Sequence, residues 1–309
     1  MGWLDLMKST FKSWQEDKAA RLGAALAYYT IFSIGPLLLV TIAIVGFVLG
    51  KQAAEGQLVG AISSVVGEQG ASFIQEAVKN ASKPTAGIIA AVIGLVMLLL
   101  AASGIFGQLQ DALNTVWKVE PPKGGGVAGM AKQKVIPFLV MVGCGLLLLA
   151  SLIANSALAV LGKFISANLP GGAIAWQGVN YVVSLAIITL LFAVIYRFLP
   201  DTHITWKDVW VGAALTSFLF VLGQIVLGFY LGFSNPGSPY GAAGSLVIVL
   251  VWIYYSAQIM LFGAEFTREY AHSRGSRAPE KAGEKAGEKA KDGQQKAEGG
   301  RLKESPWFS

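Results

Sequence analysis

Residues Leu246–Phe266, LVIVLVWIYYSAQIMLFGAEF, form an apolar run of the length that crosses a membrane as an α-helix. Tyr254, Gln258 and Glu265 lie in this run at offsets of four and seven residues, which places them on one helix face. A carboxylate is unfavourable in lipid, so this face should contact protein or a water-filled cavity. The run predicts a membrane-spanning helix and the face on which function is expected.

The composition points to the same class of protein. Of the 309 residues, 54% are hydrophobic and 14% are charged, and the mean hydropathy is +0.57. Soluble globular domains have about 25% charged residues, so an integral membrane protein is predicted. The single Cys144 excludes an internal disulfide, and two histidines are too few for a typical zinc site. The first 20 residues lack a long apolar core, so no cleavable signal peptide is expected.

The predicted fold class is an all-α integral membrane protein with six transmembrane helices. Each apolar stretch exceeds the roughly 20 residues needed to cross the hydrocarbon core, and an alternating strand pattern is absent. The spans are placed near Ala24–Gly50, Thr85–Leu109, Val135–Leu161, Ala173–Leu199, Val209–Gly232 and Gly241–Phe266. Gly228 and Gly232 form a GxxxG pattern, which predicts close helix packing.

The distribution of Lys and Arg predicts the orientation. With the N-terminus inside, 20 of the 24 Lys and Arg residues fall on the cytoplasmic side. The predicted location is therefore the bacterial cytoplasmic membrane, with both termini in the cytoplasm.

Three regions are predicted along the chain. Residues 1–22 carry Trp3, Met7, Phe11 and Trp14 at helical spacing, which indicates an interfacial helix or an amphipathic lead-in that packs on the bundle. Residues 23–273 form the transmembrane domain, with one or two amphipathic outer helices between the first two spans. Residues 274–309 repeat Ala-Gly-Glu-Lys without an apolar face and are predicted to be a disordered, charged cytoplasmic tail.

Motifs of soluble enzymes are absent from the sequence. It has no Walker loop, GxSxG elbow, HExxH motif or His and Asp cluster. The chain is therefore predicted not to be an enzyme and to need no cofactor or metal. Nucleic acid is not an expected partner.

Polar side chains within the predicted spans are the candidates for function. Tyr29 and Ser33 lie in the first span, just before Gly35 and Pro36, which predict a kink in that helix. Two interpretations of these side chains stay open: they form hydrogen bonds between helices, or they line a polar cavity. Glu265 is expected to pair with Arg197 or Arg21, or with Arg268 within its own helix. The predicted substrate pathway or gate consists of Tyr29, Ser33, Asn180, Arg197, Tyr254, Gln258 and Glu265.

Several motifs resemble the YihY/BrkB family of bacterial inner-membrane proteins. In order they are AARLGAALAYYTIFSIGP (19–36), DALNTVW (111–117), YRFLPD (196–201), YGAAGS (240–245), WIYYSAQI (252–259) and FGAEFT (262–267). The resemblance implies a six-helix inner-membrane protein. Members have carried the labels virulence factor and ribonuclease BN, but a zinc ribonuclease needs a His and Asp cluster that this sequence lacks. Proteins of this type have been suspected of moving lipids or other envelope components.

The leading hypothesis is a transporter or translocator of a lipid or other amphipathic envelope component. The alternative is a non-transporting membrane scaffold for envelope integrity. Expected partners are membrane lipids and an amphipathic substrate, and self-association as a homo-oligomer is left open.

Overall fold

The computed structural model describes five long helices and the segments that connect their polar ends. It describes residues 2–49, 104–119, 172–234 and 244–277, together with residues 56, 60, 63, 71, 72, 74–76, 79, 135, 137–140, 142–147, 150, 151, 154, 158 and 162. Regular secondary structure in these residues is helical throughout. The described part of the chain is accordingly all-α, as predicted.

The helices follow the apolar runs of the sequence. They are α1 (Trp3–Glu16), α2 (Ala19–Leu49), α3 (Gly172–Phe198), α4 (Trp206–Ser234) and α5 (Gly244–Ser273). Residues 104–116 are also helical and continue to 119 as a turn; we call residues 104–119 the 104–119 segment. Pro200 lacks a backbone donor and disfavours helical backbone at Leu199, which explains why α3 ends at Phe198.

Three of these helices are long and apolar enough to cross a membrane. The qualifying stretches are Trp176–Phe198, Trp206–Tyr230 and Gly244–Ser273. They correspond to the last three predicted spans, and α2 covers the first from Ala24 to Leu49. The second and third predicted spans, and the amphipathic outer helices, lie largely outside the described residues, so the count of six spans stays a prediction.

Helix α1 packs on the bundle through a face that the sequence pattern did not indicate. Leu6, Thr10 and Ser13 are buried at offsets of four and seven residues. Trp3 and Phe11, from the predicted apolar line, are instead 57% and 52% exposed. The reason is that the polar Ser13 reaches Glu269 of α5, which draws the small, polar side of α1 inward. Trp14, from the same line, is half-buried against the core.

Helices α4 and α5 interlock through a reciprocal pair of glycines and threonines. Gly212 of α4 faces Thr267 of α5, and Gly263 of α5 faces Thr216 of α4. Each threonine hydroxyl donates to the carbonyl of the glycine four residues earlier in its own helix, at 2.7 Å in both cases. The hydroxyls are thus satisfied locally, and the absent glycine side chains let the antiparallel helices approach closely.

Tyr196 of α3 joins this contact. Its hydroxyl donates to the Met260 carbonyl oxygen at 2.6 Å and lies 3.0 Å from the Thr216 hydroxyl. Three helices therefore meet around Gly263, and Tyr196 is fully buried there at 1% exposure.

Candidate functional site

The last turns of α5 place Arg268 at the centre of a buried cluster of charges. Arg268 Nη1 donates to the Val116 carbonyl oxygen at 2.5 Å and lies 3.3 Å from Asp17 Oδ2. Arg268 Nη2 lies 3.2 Å from Glu265 Oε2 and 3.2 Å from Glu269 Oε1. A planar guanidinium with five donors suits such multiple contacts, whereas a lysine ammonium does not. Arg268 thus joins three carboxylates and the end of the 104–119 segment.

Two other parts of the chain complete this cluster. Lys118 pairs with Asp17 Oδ1, so Asp17 lies between two cations. Ser13 of α1 donates to Glu269 Oε1 at 3.2 Å. We call Asp17, Lys118, Glu265, Arg268 and Glu269 the ion cluster. It connects α1, the α1–α2 junction, the 104–119 segment and α5 at one end of the bundle, the polar end.

The two turns that bring Asp17 and Lys118 together use unusual backbone geometry. Lys18 and Lys118 adopt positive φ angles of 52° and 55°, the left-handed conformation that commonly terminates a helix. Lys18 lies between α1 and α2, and Lys118 lies just after the helical residues 104–116. Such a conformation is disfavoured for residues with a side chain, so surrounding contacts must maintain it. The ion cluster lies beside both turns and supplies those contacts.

A second polar group ties the end of α5 to the start of α4. Thr205 donates to Asp208 Oδ2 at 2.8 Å across the first turn of α4. The Ser276 hydroxyl donates to the same carboxylate oxygen at 2.6 Å, and the Ser276 backbone amide donates to it at 3.2 Å. Asp208 is 1% exposed, so these donors compensate a buried carboxylate.

Truncation experiments should reveal this contact. Ending the chain after Arg274 removes both Ser276 donors from Asp208 and should reduce stability by about 1–3 kcal/mol, the cost of an unsatisfied buried polar group. Ending it after Arg277 retains Ser276 and the hydrogen bonds that Arg277 donates to Thr202 and the His203 carbonyl, so wild-type stability is expected. Equal melting temperatures for the two truncated proteins in detergent would contradict this. Residues 278–309 of the predicted tail lie outside the described residues.

A third polar contact joins the 104–119 segment to the α3–α4 loop. Asn114 donates to Asp201 Oδ2 at 2.9 Å and accepts from the Asp201 backbone amide at 2.8 Å. Gln110 donates to Asp201 Oδ1 at 3.2 Å. Burial, and secondarily the nearby Asp201 carboxylate, raises the pKa of Asp111 above its usual range. The whole polar end is therefore linked by side-chain hydrogen bonds and ion pairs.

An open groove of about 310 Å³ lies between α1, α4 and α5. Its wall is apolar except for Tyr255 and the amide of Gln258. Gln258 Nε2 donates to the Ala19 carbonyl oxygen at 3.4 Å, whereas Gln258 Oε1 and the buried Trp14 Nε1 have no hydrogen-bond partner within the described residues. The groove is lined by Phe11, Trp14, Leu219, Leu222, Gly223, Val226, Tyr255, Gln258, Ile259 and Phe262.

The groove and the ion cluster share two helices. Trp14 of the groove follows Ser13, which contacts Glu269, and Phe262 of the groove precedes Glu265 by one turn of α5. The apolar groove and the buried charges are therefore neighbours on α1 and α5. An apolar groove beside a buried group of charges suits a molecule with an apolar body and a polar end.

The structure does not bring the predicted pathway residues together in one place. Gln258 lines the groove and Glu265 belongs to the ion cluster. Ser33 is buried on α2 opposite Gly104. Tyr29 and Tyr254 are 45% and 39% exposed, respectively. Asn180, on α3, is also exposed.

Arg197 has a different partner from the one expected. Its guanidinium donates to the Ile204 carbonyl oxygen and lies 6.0 Å from the centre of the Trp206 ring. Glu265 pairs instead with Arg268, the neighbour that helical spacing also allowed. Arg197 therefore fixes the loop between α3 and α4 and does not take part in the ion cluster.

Asp17 and Lys118 are cluster members that the sequence did not single out. Both belong to short turns between apolar segments, where charged residues are common and carry little information. Lys118 follows the motif DALNTVW, and Asp17 lies two residues before the motif that begins at Ala19. Their position beside two recognisable motifs is the signal that could have identified them.

Comparison with known proteins assigns the chain to a family. The family profile described as virulence factor BrkB matches residues 10–288. The chain belongs to this family. The match covers α2–α5 and all five residues of the ion cluster, so the BrkB assignment extends over the complete site described above.

Similar BrkB relatives carry the name UPF0761 membrane protein. The protein of Tolumonas auensis is 29% identical over 81% of this chain and 80% of its own length. Those of Psychrobacter sp. and Ralstonia nicotianae are 24% and 28% identical over 86% and 81% of this chain. This chain spans 48% and 55% of their respective lengths. No solved structure matches the chain.

Proposed function

We propose that this BrkB-family protein translocates a lipid or another amphipathic envelope component. The observation that supports the proposal is the groove between α1, α4 and α5. Its volume of about 310 Å³ is at the lower end of the range of ligand-binding pockets, about 300–1,000 Å³. Its apolar wall would accept an acyl chain, and the amide of Gln258 would orient a polar group.

The neighbouring ion cluster supports the same substrate class. A headgroup that carries charge needs a partner of opposite charge when it leaves water. Arg268 and Lys118 would supply positive charge, and Asp17 and Glu269 negative charge, beside the groove. An amphipathic molecule could therefore keep its apolar part in the groove while its headgroup meets the cluster.

The proposed setting is the bacterial inner membrane with six spans and both termini in the cytoplasm. Twenty of the 24 Lys and Arg residues are on the cytoplasmic side in this orientation, including Lys118 and Arg268 at the polar end. The groove would then open at the cytoplasmic leaflet, where the outward aromatic residues of α1 suit the membrane interface.

A second candidate function is a non-transporting scaffold. The observation that favours it is the set of contacts at the polar end, which joins α1, the 104–119 segment, the α3–α4 loop and α5. Such a linked end would present a rigid surface to other envelope proteins. In that case the groove would have no part in function.

The experiment fills the groove without altering the helix contacts. Val226 on α4 lines the groove and is 55% exposed, so Val226→Trp should occupy groove volume. Ile225→Trp is the matched control, because Ile225 is 53% exposed but lies about 100° around the helix. Both proteins are reconstituted in vesicles that contain a fluorescent phospholipid, and its movement between leaflets is followed by access of a membrane-impermeant quencher.

We expect wild type and Ile225→Trp to accelerate phospholipid movement and Val226→Trp to lose most of that acceleration. Complementation of a deletion strain under envelope stress should follow the same order. Wild-type complementation by Val226→Trp, with no phospholipid movement by any of the three proteins, would favour the scaffold.

A further inference from the structure

The ion cluster contains more acidic than basic side chains. Asp17, Glu265 and Glu269 face two cations, Arg268 and Lys118. If every group were ionised, these five side chains would carry a net charge of minus one in a largely buried site. A buried charge without compensation is costly and is usually relieved by binding a proton or a counter-ion.

Glu265 is the member of the cluster for which the charge is least compensated. It is fully buried, at 0% exposure, and neither of its carboxyl oxygens accepts a hydrogen bond from a described donor. Its contact with Arg268 at 3.2 Å lacks hydrogen-bond geometry, and that guanidinium also serves Asp17 and Glu269. Ser13 and Lys118, the other nearby donors, bind Glu269 and Asp17.

The neighbour of Glu265 across the helix junction is another carboxyl group. The Asp17 and Glu265 carboxyl groups contact the same guanidinium: Asp17 Oδ2 lies 3.3 Å from Arg268 Nη1, and Glu265 Oε2 lies 3.2 Å from Arg268 Nη2. An ionised carboxylate is an acceptor only, so two carboxyl groups can share a hydrogen bond only when one of them carries a proton. The arrangement therefore has a place for one proton between α5 and the α1–α2 junction.

Three other charged or titratable groups near the polar end have partners of their own. On α4, the Asp208 carboxylate accepts from Thr205 and Ser276, and on α3 the Arg197 guanidinium donates to the Ile204 carbonyl. On α5, His272 Nδ1 lies 2.8 Å from the Arg268 carbonyl oxygen. None of these groups supplies the missing positive charge to Glu265.

From this geometry we infer that the ion cluster is a proton-binding site, in which a proton on Glu265, shared with Asp17, holds α1 and the α1–α2 junction against α5. Loss of the proton leaves two adjacent carboxylates competing for Arg268. The contact between Arg268 and Asp17 is then weakened by repulsion, and α1 is released from α5.

This inference gives the proposed translocator a means of control. Phe11 and Trp14 form the α1 wall of the groove, so release of α1 would open it. This consequence rests on the proposed function. Proton binding itself does not, because it can be measured without any substrate.

Infrared spectroscopy tests proton binding directly. Purified wild-type protein should show the C=O stretching band of a protonated carboxyl group at neutral pH, and the band should be lost at alkaline pH. Glu265→Gln should lack the band. Asp17→Asn should lack it as well, although Glu265 is retained, because the cluster then has two carboxylates for two cations. Absence of the band from wild type, or its persistence in both variants, would overturn the inference.

Thermal unfolding provides the second measurement. A proton held by the folded protein and released by the unfolded chain makes the unfolding free energy decrease as pH rises. Between pH about 6 and about 9, below the usual lysine value of about 10.4, the melting temperature of wild type should fall. Glu265→Gln mimics the protonated form, so it should fold with wild-type stability at neutral pH and lose this dependence. An unfolded Glu265→Gln protein would also contradict the inference.

A spin label on α1 tests the structural consequence. In a Cys144→Ser background, the label is attached to Lys8→Cys on α1 or, as a control, to Val182→Cys on α3, which is 68% exposed. Label mobility on α1 should rise at alkaline pH, stay constant in the presence of Glu265→Gln, and not change on α3. A protonated Glu265 with a label on α1 that never changes would overturn the release of α1. Failure of phospholipid movement alone would leave the proton site supported and reject the proposed function.

Discussion

Replacing Arg268 with methionine should destabilise the folded protein by about 3–5 kcal/mol, the usual cost of removing one partner from a buried ion pair. Methionine has a similar length and needs no hydrogen bonds, so the change removes charge with little loss of volume. It leaves Asp17, Glu265 and Glu269 with Lys118 as their remaining described cation, and Val116 loses the donor to its carbonyl oxygen.

An exposed ion pair provides the matched control. Lys12 and Glu16 lie 3.7 Å apart on α1, with side chains 76% and 61% exposed. Lys12→Met should change stability by only about 0–1 kcal/mol, because an exposed pair gains little from its charges. Both variants are compared by thermal unfolding in the same detergent. A loss for Arg268→Met no larger than that for Lys12→Met would contradict the central role of Arg268.

Two further variants separate charge from geometry. Arg268→Lys retains the positive charge but lacks the planar fork, so it should fold with a stability between wild type and Arg268→Met. Adding Glu265→Gln to Arg268→Met should restore little of the loss, because Glu265 holds a proton and is already uncharged. The two single changes and the double change form a cycle from which the coupling energy is obtained.

The sequence predicted the apolar part of the fold well because burial in lipid leaves a strong signal. The run at Leu246–Phe266 lies within α5, and Ala173–Leu199 matches α3 within one residue at each end. The all-α class and the family resemblance were confirmed as well. The apolar runs predict the helices from local sequence alone, since a helix in lipid satisfies its backbone hydrogen bonds within its own segment.

The candidate site was predicted less completely because it depends on contacts between distant parts of the chain. Helix α5 continues past Phe266 to Ser273, and this polar extension carries Arg268 and Glu269. Its charges are compensated by residues as remote as Asp17, 251 positions earlier. No periodicity within α5 reveals such a partner. Gln258 and Glu265 were identified because they interrupt an apolar run, whereas Asp17 and Lys118 lie in turns.

Close helix packing shows the same limitation at Gly228. The GxxxG pattern suggested that Gly228 faces another helix, but a Cβ atom there would meet nothing within 4 Å in the described part of the chain. Gly212 and Gly263, which belong to no such pattern, form the close contact instead. Which glycine faces a neighbour depends on the rotation of the helix, which the pattern alone does not fix.

Gly263→Ala should destabilise the protein by about 1–3 kcal/mol or more, the range expected when extra atoms are forced into a well-packed interior. The new Cβ would lie 2.7 Å from the Tyr196 hydroxyl and 2.9 Å from Thr216 Cβ. Separation of α4 from α5 would also weaken the bond from Tyr196 to the Met260 carbonyl. Alanine favours helix over glycine by about 1 kcal/mol, so a net loss would identify the clash as dominant.

Gly228→Ala is the control that makes this result specific. It introduces the same methyl group into the same type of helix, but into open space, and should leave stability unchanged or slightly higher. Equal effects of the two substitutions would show that helix propensity, and not packing, determines stability here.

The reciprocal geometry allows a stronger test by exchange of the two residues. Gly212→Ala alone would bring its Cβ to 2.8 Å from Thr267 Cβ and should be destabilising. Thr267→Gly in the same protein removes the opposing side chain, so the double variant should recover close packing; the number of helical glycines is unchanged, because alanine replaces Gly212. Recovery is measured as the melting temperature in detergent relative to each single variant. A double variant less stable than Gly212→Ala alone would mean that α4 and α5 are not held together by this contact.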